Sequence, residues 1–135
     1  MPVDPAAGTR KAPLPGRDAL GQIVREEWTR WAALNLPWLP VAAPWDSVAD
    51  VDREPNRRLG EHIYRVMAEG DTLTPAPSRE DLGKVVHEAL MRLAAESTMP
   101  REPPWEKLPD GSRERDRRIG ERFLRLFAGA LERVQ

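Results

Sequence analysis

The chain has 135 residues, the size of one domain or of two very small modules sharing a core, and no cysteine, which excludes disulfides, thiolate metal sites and cysteine nucleophiles. Charged residues make up 32 %, and no run approaches the roughly 18 apolar residues of a membrane span, so a soluble protein of the cytoplasm is expected. Its 21 basic and 22 acidic residues nearly cancel, which argues against bulk affinity for nucleic acid or an anionic membrane; the unusual entries are 14 prolines, 5 tryptophans and an arginine-dominated basic set.

Residues 1–16 hold four prolines and no apolar periodicity, and read as a flexible arm without the charged and apolar regions of a signal peptide. A first helix is expected over 18–34, with Leu20, Val24, Trp28 and Trp31 at helical spacing. The segment 35–52 is too rich in proline for helix and leaves room for short strands. A second helix is expected over 54–69, with Pro55 in its first turn and Leu59, Ile63, Val66 and Met67 as its apolar stripe. The same order then returns: a helix over 79–96 capped by Ser78 with Asp81, a Pro-Trp connection over 97–111, and a helix over 112–133 starting at Ser112.

That return is a duplication. Arg17-Asp18-Ala19-Leu20-Gly21 matches Arg79-Glu80-Asp81-Leu82-Gly83, Pro44-Trp45 matches Pro104-Trp105, and Arg57-Arg58-Leu59-Gly60-Glu61 matches Arg117-Arg118-Ile119-Gly120-Glu121. The organisation expected is an arm (1–16), a first repeat (17–70), a linker (71–78) and a second repeat (79–135), the two repeats forming one compact domain. Two amphipathic helices and a loop cannot close a core alone. The fold class expected is therefore mainly α, a tandem pair of helix-loop-helix repeats packed with pseudo-two-fold symmetry, with the cleft between copies as the natural binding site.

Trp45 and Trp105, each behind a proline, read either as plugs in a small core or as flat faces for a planar ligand. Trp28 and Trp31 lack tryptophan counterparts and read as core, whereas Trp38, in Leu-Pro-Trp-Leu-Pro, reads as lining a pocket or a partner surface. The second helices carry basic stripes, Arg58, His62 and Arg65 in one and Arg115, Arg118, Arg122 and Arg125 in the other, which read either as solvated faces or as a grip on phosphates. Arg57 and Arg117, with Asn56 and Asp116 beside them, recur at the start of the second helix next to the tryptophan loop, where free backbone N–H groups favour an anion. The two histidines, His62 and His87, form no metal motif, no glycine-rich phosphate loop is present, and no serine sits in a nucleophile context, so neither a cofactor, a metal nor an enzymatic role is expected. Leu124 and Leu131 fall off the Phe123–Phe127 stripe and suggest a second burial surface, hence a homodimer.

The order of helix, Pro-Trp-acidic loop and Arg-(Asn/Asp)-Arg-Arg helix resembles the RyR domain, the repeat of the ryanodine receptors, in its small bacterial or phage tandem form. The second copy carries it best, in Val86-His87-Glu88, Pro103-Pro104-Trp105-Glu106-Lys107-Leu108-Pro109 and Arg113-Glu114-Arg115-Asp116-Arg117-Arg118-Ile119; the first keeps Pro44-Trp45-Asp46-Ser47-Val48 and Arg53-Glu54-Pro55-Asn56-Arg57-Arg58. The resemblance covers about 17–133. It implies a non-catalytic, mainly helical pair with a nucleotide site between repeats, used in sensing or, in a phage, in sequestering a signalling nucleotide, in the cytoplasm of a bacterium or of a phage's host. It also implies Trp45, Trp105, Arg57, Arg58, Arg117 and Arg118 as the ligand-facing set. Asp116, where the family's usual residue is asparagine, implies that the two halves are not equivalent. The function expected is non-enzymatic binding of a nucleotide in the inter-repeat cleft; the alternative is a protein-interaction module, using Trp38, with no small-molecule pocket.

Overall fold

A computed structural model describes residues 16–69, 77–96 and 101–134, with side chains to residue 128. The arm up to residue 15, linker residues 71–76 and the side chains of Leu131 and Val134 lie outside the described residues. The chain forms four helices: α1 (Arg17–Asn35), α2 (Asp50–Glu69), α3 (Arg79–Ala95) and α4 (Asp110–Val134). Each Pro-Trp connection closes in one 3₁₀ turn, Trp45–Ser47 and Trp105–Lys107, and no strand occurs among the described residues.

Local chemistry sets the ends. The Asp81 N–H donates to Ser78 Oγ at 3.1 Å while Asp81 returns a carboxylate to the Ser78 N–H, the reciprocal cap expected at α3. α1 stops at Leu36 because Pro37 disfavours helical backbone in the residue before it, and the Asn35 amide donates back to the Trp31 carbonyl. The second helix of each repeat begins earlier than expected. Ala49 O accepts from the Asp52 and Arg53 N–H groups, so α2 opens at Asp50 and Pro55 lies in its second turn, on an exposed face. Its missing N–H there costs one bond without crowding the core. Likewise Pro109 O accepts from Arg113 N–H, and Ser112 is a buried residue of the first turn of α4 rather than its cap. Asp50 and Asp110, carboxylates at the positive ends of helix dipoles, were the signals for these starts.

α1 packs on α2 and α3 on α4 within the repeats; across the pseudo-two-fold, α1 meets α4 and α2 meets α3. One apolar cluster draws on all four helices, with Leu20 and Val24, Leu59 and Ile63, Leu82 and Val86, and Ile119 and Phe123 at its centre. Close approach is set by glycine. A Cβ on Gly60 would stand 2.8 Å from the Leu20 carbonyl carbon, and one on Gly120 2.8 Å from Leu82 Cβ, so α2 and α4 lie on α1 and α3 with no side chain between. Leu124, Leu126 and Phe127 pack partly buried against the shared core.

Candidate functional site

The repeated residues build two copies of one internal clasp. In the first, the Trp45 indole lies over Gly21, where a Cβ would meet Cη2 at 2.9 Å, and the Arg53 and Arg57 guanidiniums stand 5.3 and 6.0 Å from its ring centre. Arg57 donates to Asp18 and to Asp50, and these carboxylates, Asp50 first, hold its pKa above the ordinary arginine value. In the second, Trp105 lies over Gly83, Arg117 stands 5.7 Å from its ring, and Glu80 accepts from both the Trp105 indole N–H (2.6 Å) and Arg117 (3.0 Å). The indole N–H and, after it, Arg117 hold Glu80 below the usual carboxylate range. Arg17 with Glu54 and Glu61, and Arg79 with Glu114 and Glu121, repeat the same forks outside.

This places the expected site residues. Trp45 and Trp105 are only 8 % and 7 % exposed, each against a glycine of its own repeat, so of the two readings left open for them the geometry is that of a plug. Arg57 and Arg117 are paired inside the same clasps, Arg58 is exposed, and Asn56 is half-buried beside its clasp. These residues are not gathered into one cleft. The plane between the repeats is filled by the shared core, and its polar groups lie along one edge.

That edge is built mostly from residues that do not repeat, Arg118 being an exception. Glu27, almost wholly buried on α1, accepts from Arg118 (2.8 Å) and Arg122 (3.0 Å) of α4, and it raises the Arg118 pKa. One turn along, the Arg115 side chain is 1 % exposed. Its guanidinium lies 3.9 Å over the Trp28 ring and 5.3 Å from that of Trp31, donates to both oxygens of Glu102 (2.9 and 3.2 Å), and meets Asp116 at 3.0 Å. Asp116, fully buried, has its other oxygen 3.7 Å from His87 Nδ1, and this carboxylate raises the His87 pKa against the opposing effect of burial. In the other repeat the positions of Trp28, Trp31, Glu102, Arg115, Asp116 and His87 are held by Leu90, Leu93, Ala42, Pro55, Asn56 and Arg25.

Two adjoining cavities open along this edge. One, of about 300 Å³, is walled by Trp28, Trp31, Leu90, Met91 and Ala94 and closed by the Glu102–Arg115 pair. The other, of about 160 Å³, shares Trp31 and Arg115 and adds Arg30, Arg118, Asn35 and Gly111 in the first turn of α4, with Glu27 and Glu114 as its acids. Trp28, which lines the first, keeps a buried indole N–H with no acceptor among the described residues. Trp28, a core residue by its helical spacing, does pack partly buried against the shared cluster and also walls the first cavity; Glu27 and Glu102 belong to no sequence motif, and the signal available for them is the lack of a counterpart in the other copy.

Elsewhere, Trp38 is 74 % exposed, in a loop after α1. Among the described residues no group of three or more His, Asp or Glu could hold a metal ion, and no helix is long and apolar enough to cross a membrane. No family model, curated protein or solved structure matches the chain.

Proposed function

We propose that the protein is a non-enzymatic binding protein that takes a nucleotide at the edge between its repeats, the base in the aromatic cavity and the phosphate in the arginine-lined one. The observation that carries this reading is the asymmetry of one edge: Glu27, Trp28, Trp31, Glu102 and Arg115, none of which has a like residue in the other copy, meet around two adjoining cavities, where Arg30 and Arg118 from the repeated set join them. Pockets that hold small ligands are mostly apolar with a few fixed polar groups, and indoles accept any base face. Arg30, more than half exposed and only 3.8 Å from Glu27, is the cation freest to meet a phosphate. Arg115 is already neutralised by Glu102 and Asp116, and its role is to hold the wall.

The reading agrees with the nucleotide site that the RyR resemblance implies, in sensing or in sequestration, and keeps Arg118 of its expected set, but puts Trp28, Trp31 and Arg30 in place of Trp45, Trp105, Arg57, Arg58 and Arg117. Isothermal titration of the full chain against mono-, di- and cyclic nucleotides tests it. Saturable heat for at least one of them, weakened about tenfold or more by Trp31→Ala and further by Arg30→Ala, is expected, since stacking contributes about 1–3 kcal/mol per base. Folded protein that takes up none of them contradicts it.

A further inference from the structure

Behind the aromatic cavity, His87 and Asp116 leave polar atoms unmatched in the interior. His87 is buried and Asp116 fully so, yet neither imidazole nitrogen and only one Asp116 oxygen finds a hydrogen-bond partner among the described residues. The two face each other, Nδ1 to Oδ2, at 3.7 Å, within Coulombic reach but too far for a hydrogen bond. Unmatched buried groups are rare enough in a folded protein to require a reason.

The first repeat supplies one. Arg25, at the place of His87, donates to the Ala43 carbonyl at 2.8 Å. The matching carbonyl of the second repeat belongs to Pro103, and it acts with Asp116, the larger cause, to raise the His87 pKa. Where one repeat has a permanent cation, the other thus has a cation that titrates near neutrality. Pro103 adjoins Glu102, so His87 lies between Asp116 of α4 and the segment that closes the cavity of Trp28 and Trp31.

Charge decides what that titration does. Asp116 and Glu102 share one guanidinium: Arg115 gives Nε to the first at 3.0 Å and a terminal nitrogen to both oxygens of the second at 2.9 and 3.2 Å. With His87 protonated, two cations balance two carboxylates. With His87 neutral, both carboxylates depend on Arg115, and a buried charge left unpaired is far costlier than one that reaches water. The Asp116 side chain, 0 % exposed, cannot reach water, whereas that of Glu102, 26 % exposed, can. The remaining charged neighbours are committed or apart. On α3, Glu88 pairs with Arg92 and Glu80 with Arg117, and Lys84 is exposed. Among the described residues, Arg113 of α4 and Arg58, His62 and Arg65 of α2 pair with neither His87 nor Asp116. Trp105, whose ring lies 6.0 Å from the imidazole, adds no charge.

We propose that His87 is a proton-operated latch on the aromatic cavity: protonated, it answers Asp116 and leaves Arg115 to clamp Glu102 across the wall; neutral, it leaves Asp116 to draw Arg115 away, and Glu102 swings to water and opens the cavity. As a control on ligand entry the latch rests on the binding reading above, while as a property of the cavity it does not.

Acrylamide, a neutral quencher of tryptophan emission, tests it on the full chain carrying Trp38→Phe, which removes the one exposed indole. Quenching should rise about twofold between about pH 6 and about pH 8.5, with a single midpoint above the ordinary histidine value of about 6.5. Glu102→Gln, which removes the clamped carboxylate, should give the high value at both ends, and His87→Arg, with the cation of the first repeat, the low value at both. A flat profile with His87 and Glu102 in place, or a rise that persists unchanged in both variants, overturns the latch; this profile decides even where His87→Arg fails to fold. Titration with a cyclic mononucleotide separates the two readings. Affinity rising with pH along the quenching curve supports control of entry, and affinity indifferent to pH overturns it. Absence of binding at every pH contradicts the binding reading instead, with the quenching profile still deciding the latch.

Discussion

At position 87 the two repeats solve one problem with different cations. Arg25 in the first repeat reaches the Ala43 carbonyl, and His87 in the second faces Asp116 from α4, with Arg115 and Glu102 beyond that carboxylate and Trp105 alongside. Because Asp116 raises the folded-state pKa of His87, the stabilisation from protonated His87 is complete below its unfolded value of about 6.5 and is lost as pH rises through the raised value. Urea midpoints measured between about pH 6 and pH 8.5 should therefore decline toward the alkaline end, and His87→Arg should flatten that decline. A flat wild-type profile would contradict the assignment. Glu27 offers a second test. Its buried carboxylate answers two guanidiniums, so Glu27→Gln should cost about 3 kcal/mol in denaturant unfolding, whereas Arg92→Ala, which breaks an exposed pair with Glu88, should cost under about 0.5 kcal/mol. Equal effects would refute the distinction. At this scale the sequence showed that Trp45, Trp105, Arg57 and Arg117 matter as a set, but a recurring Trp and Arg suit a clasp as well as a ligand grip. Only contact with Gly21 and Gly83 separates the two.

At the scale of elements, helix spacing and capping were legible. The apolar stripes, the Ser78 cap and the stop before Pro37 all follow from neighbours within a turn or two. The starts of α2 and α4 were less so, because Pro55 and Ser112 are good first-turn residues locally and compete with Asp50 and Asp110, the acidic residues at which the helices in fact begin. Helix glycines give the sharpest test. Gly→Ala inside a helix ordinarily gains up to about 1 kcal/mol. Here Gly60→Ala should instead lower stability by about 1–3 kcal/mol, since the new Cβ would press on the backbone of Leu20, which cannot move aside without separating α1 from α2. A neutral or stabilising result in urea unfolding would show that the helices are not in such contact.

For the whole molecule, the duplication explains why neither half closes alone. The central cluster takes Leu20 and Ile63 from one repeat and Val86 and Phe123 from the other, so burial of each depends on both. A fragment of residues 79–135 should lack a cooperative thermal transition in circular dichroism; a sharp one would make each repeat a domain. The symmetry itself could be read from paired motifs. Its breaking at one edge could not, because Glu27 and Trp28 are far in sequence from Glu102 and Arg115 and meet them only when α1 of one repeat lies on α4 of the other. That edge is the centre of the account, and the indole N–H signals of the five tryptophans in an NMR titration with nucleotides report on it directly. The account expects the Trp28 and Trp31 signals to move on binding while those of Trp45 and Trp105 stay in place; movement confined to Trp45 and Trp105, or no movement at all, would contradict it.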